Sequence, residues 1–137
     1  MRVVIDTNVL LDVFQNRTAH YAGSAAVLAM VERQEIDAVM PAHALTTLFY
    51  LVRKYGTRVD AEAAMDRVLD HFEIGALDAA GWRKARALPM KDFEDAVVAT
   101  VAESFHCSLV ITRNTDDFLK SPVPAFTPID FLGQYFP

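Results

Sequence analysis

The side chains with the most chemistry to offer in this sequence are carboxylates, and they fall in three short runs. Asp6 and Asn8 follow the apolar stretch Val3-Val4-Ile5. Asp92 and Asp95 bracket Phe93 and Glu94 in the run KDFEDA. Asp116 and Asp117 follow the stretch Ser108 to Thr112. Asp6 comes directly after a β-branched apolar run that reads as a buried strand, where an unpaired charge is costly unless a cation or hydrogen-bond donors compensate it. Asp95 opens a segment, Ala96 to Ala102, that is apolar on nearly all sides and therefore reads as a buried helix, so this acid too needs a partner. Local roles compete with chemistry at the other positions. Asp92 reads equally as an N-cap with Asp95 as its capping-box partner, and Asp116 and Asp117 read equally as turn residues. Asp12 lies one helical turn beyond Asn8 and reads as a solvated helix residue.

Clustered carboxylates repel one another and raise each other's pKa unless a cation sits among them. A hard divalent ion answers that need, because Mg²⁺ and Mn²⁺ take oxygen ligands, keep several waters and are held by few protein carboxylates together with substrate phosphate. Such ions hydrolyse phosphodiesters by activating water and stabilising the leaving oxygen. Zinc chemistry is excluded by spacing: the only cysteine is Cys107, and His20, His43, His71 and His106 are scattered singly. The chain carries 18 Asp and Glu against 13 Lys and Arg, a net charge of −5 that runs against the basic footprint of most nucleic-acid binders. Setting aside Asp6, Asp92, Asp95, Asp116 and Asp117 leaves a formally neutral protein, so the excess charge equals the acids of the three motifs. Any RNA would be held by a metal ion and by local cations: Arg17, Arg53, Lys54, Lys91 and Arg113, of which Arg113 and Lys91 adjoin the acid motifs. Phe49, Tyr50, Tyr55, Phe72 and Trp82 sit in helical patterns and read as core or interface; Phe131, Tyr135 and Phe136 form an apolar group that covers the core or meets a partner.

These side chains need a scaffold. With 137 residues, 53% of them apolar and 23% charged, the chain is expected to form one α/β domain over residues 1–137 and to be too apolar for disorder. A strand is expected at Val3 to Ile5, a helix start after Asp6, a helix from Tyr21 to Gln34 and a strand from Ala38 to Met40. Pro41 is expected at or just before a helix start, with helices over Ala44 to Tyr55 and Asp60 to His71. A strand at Glu73 to Leu77, helices at Ala79 to Leu88 and Phe93 to Phe105, strands at Ser108 to Thr112 and Ala125 to Thr127, and a short final helix complete the pattern. Strands separated by helices imply a mainly parallel sheet covered on both faces, a three-layer α/β/α sandwich whose usable crevice lies beyond the strands' carboxyl ends. The N-terminal stretch holds neither a signal-peptide core nor a membrane span, and a lone cysteine suits a reducing cytoplasm.

The opening VVIDTNVLLD, the central DFEDAVVATVAESFHCSLVITRN and the closing TDDF together resemble the PIN-domain nucleases, a family that includes the toxin ribonucleases of bacterial and archaeal toxin–antitoxin pairs. The resemblance covers nearly the whole chain with its motifs in order. It implies a PIN-like α/β/α sandwich, Mg²⁺- or Mn²⁺-dependent endoribonuclease activity on RNA, an antitoxin protein as partner and a homodimer. It also implies roles: Asp6 and Asp95 as metal ligands, Asp92 and Asp117 as further ligands or water-orienting groups, and Asn8 and Thr112 as polar support. Arg113, Asn114 and Lys91 are then candidate substrate contacts. One position departs from the pattern, since Thr47 stands where most members carry a Glu. That departure keeps open a catalytically weak or inactive module of the same fold that binds RNA or a protein. A small aspartate-dependent phosphatase is the weaker alternative, because Asn8 stands where its second Asp is required.

Overall fold

The computed structural model describes residues Met1–Pro137. Val3, Val4 and Ile5 are wholly buried because their strand, β1 (Arg2–Ile5), is the middle one of five. After it come α1 (Thr7–Phe14), α2 (Tyr21–Glu32), β2 (Asp37–Pro41), α3 (Ala44–Tyr55), α4 (Arg58–His71), β3 (Glu73–Gly75), α5 (Ala79–Ala87) and α6 (Phe93–Ser104). The chain closes with β4 (Leu109–Ile111), a 3-10 turn (Thr115–Phe118), β5 (Ala125–Phe126) and α7 (Pro128–Tyr135). All strand pairs are parallel, in the order β3-β2-β1-β4-β5, with Val4 opposite both Val39 and Val110. The strand order reverses between β1 and β4, and such a switch point opens a crevice at the carboxyl ends of the strands.

Alternation along each strand divides the interior in two. Val3, Ile5, Ala38, Met40, Leu109 and Ile111 face α1, α2, α3, α4 and α7, while Val4, Val39 and Val110 face α6, Ala85 of α5, and Phe118. The expected three-layer α/β/α sandwich is therefore the observed one. Phe131 is fully buried beneath Tyr135 and Phe136, so part of the C-terminal aromatic group closes the core. Phe72 is also buried, whereas Tyr50, Tyr55 and Trp82 reach solvent, so of the two readings for these three, core and interface, the core one does not hold. No helix is long and apolar enough to cross a membrane.

Local signals explain most boundaries. Thr57 and Asp60 form a reciprocal capping box that opens α4 two residues before its expected start. Helices α1, α2 and α6 end through residues in the left-handed region, Asn16 (φ 48°), Gln34 (φ 61°) and His106 (φ 57°), none of them glycine. Each is followed by an N–H that reaches back to the last turn, as in Arg17 N to Asp12 O at 3.0 Å, the hydrogen-bond pattern of a Schellman cap. Pro41 stands just before a helix start, as the last residue of β2, opposite Gly75 and three positions ahead of α3; lacking an N–H, it serves at a strand's end where the ladder asks nothing more of it. Gly75 is required by close approach: a Cβ there would stand 2.9 Å from Val39 Cγ1 and 3.0 Å from Val101 Cγ1.

Candidate active site

The acid motifs meet at the carboxyl ends of β1 and β4 because α6 runs antiparallel to the strands and brings its N-terminus to the same edge. Asp6 caps α1 and is buried, with Oδ1 accepting from Thr7 N at 2.8 Å. Its Oδ2 accepts from Thr112 Oγ1 at 2.8 Å and from Asn8 Nδ2 at 3.4 Å. Asn8 Nδ2 also reaches Thr112 Oγ1 at 3.4 Å, and Asn8 Oδ1 accepts from Arg113 N at 3.3 Å, so one amide ties the end of β1 to the end of β4. Thr112 Oγ1 further accepts from Asn114 N at 3.1 Å, which bends the chain into the turn that carries Asp117. Burial pushes the Asp6 carboxyl up from the usual range, opposed by the Thr112 and Thr7 hydrogen bonds, with Glu94 adding a raising field and His43 a lowering one.

Asp95 stands in the first turn of α6 and is half-buried. Its carboxyl is pushed up to about 7, first by burial and then by the fields of Asp92, Asp6, Asp117 and Glu94. Asp92 is exposed and caps α6, accepting from Asp95 N at 3.0 Å; this is the local role, without the return bond that would complete a capping box. Asp117 is exposed in the 3-10 turn, and its neighbour Asp116 is not among the acids that raise Asp95. No Lys or Arg forms an ion pair with any of these five converging acids, Asp6, Asp92, Glu94, Asp95 and Asp117. Five oxygen-bearing groups with uncompensated mutual repulsion fit a hard divalent cation. They do not, however, close on one point, since no three His, Cys, Asp or Glu side chains are grouped at metal-ligand spacing. That spacing suits an ion which keeps most of its waters and takes one or two carboxylates directly.

Two expectations about charges change. Asp12 is not solvated: it is fully buried, with Oδ2 accepting from Ser24 Oγ at 2.9 Å. The reason is that α2 crosses α1 on the face Asp12 presents. Arg113, expected as a free cation for substrate, has its Nε 3.0 Å from Asp12 Oδ2, although off the line of a hydrogen bond. Arg17 is 3.7 Å from Asp12 Oδ1 and hydrogen-bonds Gln15 at 2.8 and 3.1 Å. The anion that matters to Arg113 is therefore internal, and it locks β4 to α1. Asn114 and Lys91 are exposed, and Lys91 has no ion-pair partner.

His43 is the site neighbour that sequence reading passed over. It lies two residues beyond Pro41, at the same sheet edge as Asp6, and its imidazole is held below the ordinary value by burial against the opposing fields of Glu94 and Asp6. Its Nε2 is buried with no hydrogen-bond partner, and its ring meets Trp82 edge-on at 6.0 Å. The strand-end argument that pointed to Asp6 applies equally to the residues after β2. Thr47 lies one turn beyond His43 on α3, with its hydroxyl bonded to nothing in the acid cluster.

The sequence pattern of the PIN domain matches residues 2–116. Ribonuclease VapC1 of Aquifex aeolicus (strain VF5) is 24% identical over 139 residues, covering 98% of this chain and 95% of that protein. The structure is similar to VapBC2 from Rickettsia felis bound to a DNA fragment from their promoter, at a TM-score of 0.69 and 18% identity, over 93% of this chain and 98% of that one. It is equally similar to a toxin-antitoxin complex from Klebsiella pneumoniae, at a TM-score of 0.69 and 22% identity, over 92% and 97%. At these identities the structural likeness shows the fold.

Proposed function

The chain belongs to the PIN domain family, and from that premise we propose that it is a divalent-metal-dependent endoribonuclease, the toxin of a toxin–antitoxin pair acting in the cytoplasm. The observation that carries the proposal is Asp95, a carboxyl faced by four other acids with no basic side chain to offset them. The ribonuclease relative of 24% identity and the toxin–antitoxin complexes of the same fold support the reading. An antitoxin protein and a second copy of the chain are the partners this reading names.

Asp6 and Asp95 are the residues that would hold Mg²⁺ or Mn²⁺, with Asp92, Asp117 and Glu94 contributing directly or through water. The bound ion would supply charge stabilisation at the phosphate and a lowered pKa for attacking water. Thr112 and Asn8 fix Asp6 in one orientation, so the first ligand is set before substrate arrives. Asp95, pushed up to about 7, is only partly ionised near neutral pH and gives up its remaining proton when positive charge enters the site. Glu94 adds negative charge at the site despite the neutral Thr47, since its field reaches both Asp6 and Asp95.

The test is cleavage of a mixed pool of structured RNAs with Mg²⁺ or Mn²⁺, comparing wild type with Asp6→Asn and Asp95→Asn. Cleavage that is lost in both variants and abolished by chelation is expected. Equal activity in all three proteins, or activity that survives chelation, refutes the proposal. The absence of a three-acid grouping, together with Thr47, favours one second reading: a module of this fold that binds RNA without cutting it. It predicts RNA retention by wild type with no cleavage under any divalent ion.

A further inference from the structure

Asn8 and Asp12 stand four residues apart on α1 and so share one face of that helix. Both grip Arg113, the second residue beyond β4. Asn8 Oδ1 accepts from Arg113 N at 3.3 Å, and Asp12 Oδ2 lies 3.0 Å from Arg113 Nε. The second grip is anchored from behind, because Ser24 Oγ of α2 donates to the same Asp12 Oδ2 at 2.9 Å. Asp12 is fully buried, which puts it out of reach of any substrate. A carboxylate in that position needs a cation, and Arg113 is the nearer of two, since Arg17 Nη1 is 3.7 Å from Asp12 Oδ1.

The sheet stops holding this stretch of chain just where the grip begins. Its last bonds here run from Asp6 N to Ile111 O and from Thr112 N to Phe126 O, both 2.9 Å. Beyond them the path depends on side chains. Thr112, before Arg113, donates to Asp6 Oδ2 at 2.8 Å; Asn114, after it, donates its N–H to Thr112 Oγ1 at 3.1 Å and leads into the turn that bears Asp117. We infer that Arg113 is a positioning residue of the cleavage site: its guanidinium, held by buried Asp12, fixes the end of β4 so that Thr112 and Asn8 aim Asp6 and the next turn presents Asp117. The inference rests on the ribonuclease reading for its reaction. A contact with the RNA phosphate is the competing role, since 26% of the Arg113 side chain is exposed. In that role Asp12 would only do harm, because a paired carboxylate offsets the charge a phosphate would meet.

Four proteins decide between the roles: wild type, Asp12→Asn, Arg113→Met and the double variant. The contact of Arg113 Nε with Asp12 is off the line of a hydrogen bond and held by charge, which Asn does not offer. Each single variant is therefore expected to lower kcat for RNA cleavage at least five-fold with KM within two-fold of wild type. The double variant leaves no buried charge without a partner, so its urea midpoint is expected to return to the wild-type value while kcat stays low. Hydrogen exchange, followed by NMR in chelator, supplies a readout without catalysis: the backbone amides of positions 113 and 114 are expected to exchange at least five-fold faster in the double variant, with Val4 unchanged. A phosphate contact instead raises KM in Arg113→Met and leaves kcat intact in Asp12→Asn, and that result overturns the inference. Recovery of kcat together with the urea midpoint, or unaltered exchange at positions 113 and 114, also overturns it while leaving the ribonuclease standing. Faster exchange at those positions in a chain whose wild type cuts no RNA keeps the anchor and removes the ribonuclease.

Discussion

Replacing Asp95 by Asn should make the metal-free protein more stable at pH 8, and by an amount that depends on pH in a defined way. The Asp95 carboxyl is raised from its ordinary value of 3.8 to about 7. Between those values the folded protein keeps a proton that the unfolded chain has released. Stability therefore falls as pH rises through this window, and above about 7 the whole penalty is present. At 1.36 kcal/mol per pKa unit the shift corresponds to an upper bound of about 4 kcal/mol, and screening by the solvent that still reaches Asp95 reduces it to about 2 kcal/mol. Asn carries no such charge, so Asp95→Asn gains about 2 kcal/mol at pH 8 and about nothing at pH 4, roughly 8 °C in Tm for a chain of this size. Thermal unfolding in chelator at the two pH values measures both arms. Adding Mg²⁺ or Mn²⁺ at pH 8 should then stabilise wild type and not the variant, with release of a proton when the titration is done near pH 6.5. A variant no more stable than wild type at pH 8, or one stabilised equally at pH 4, would refute the picture of crowded carboxylates.

Three other perturbations test the supports of the site. Thr112→Val removes both the 2.8 Å donor to Asp6 and the acceptor for Asn114 N; a loss of about 1–3 kcal/mol in urea unfolding is expected, together with reduced RNA cleavage. Arg113→Met leaves fully buried Asp12 without its nearest cation and should cost about 3 kcal/mol, whereas Arg17→Met, at 3.7 Å from the same acid, should cost less than about 1 kcal/mol. Equal losses in those two denaturation curves would place the compensation of Asp12 elsewhere. Gln34→Gly relieves a left-handed cap at the end of α2 and should raise stability by about 0.5–1 kcal/mol with no change in RNA binding, as read by urea midpoint and filter retention.

What could be read in the chain was whatever depends on neighbours in sequence. Val3-Val4-Ile5 and Leu109-Val110-Ile111 announce buried parallel strands by unbroken apolar runs, and the strand-end rule then puts Asp6 and the turn carrying Asp117 at one edge. The turn of α6 that carries Asp95 was equally plain, because an acid heading a helix of Val and Ala has no solvated face to occupy. The errors concern pairings across elements. Asp12 looked solvated because the covering residue, Ser24, belongs to another helix and Arg113 to the far end of the sheet. His43 looked isolated because only the fold sets it beside Asp6 and Trp82. The helical pattern around Trp82 suits core or interface alike, and α5 decides between them by burying Ala85 alone and turning its tryptophan and its cations outward.

The hydrogen bond from Thr112 to Asp6 spans 106 positions of sequence. Contacts of such long range form late, since the whole intervening chain must be closed into a loop before they are rewarded. Synthesis proceeds from the N-terminus, so Asp6 leaves the ribosome long before its hydroxyl partner exists, and a nascent or prematurely ended chain has the first carboxylate without the clamp that aims it. For the ribonuclease proposed above, that order amounts to a safety catch: the blade is assembled only after Thr112 has been made.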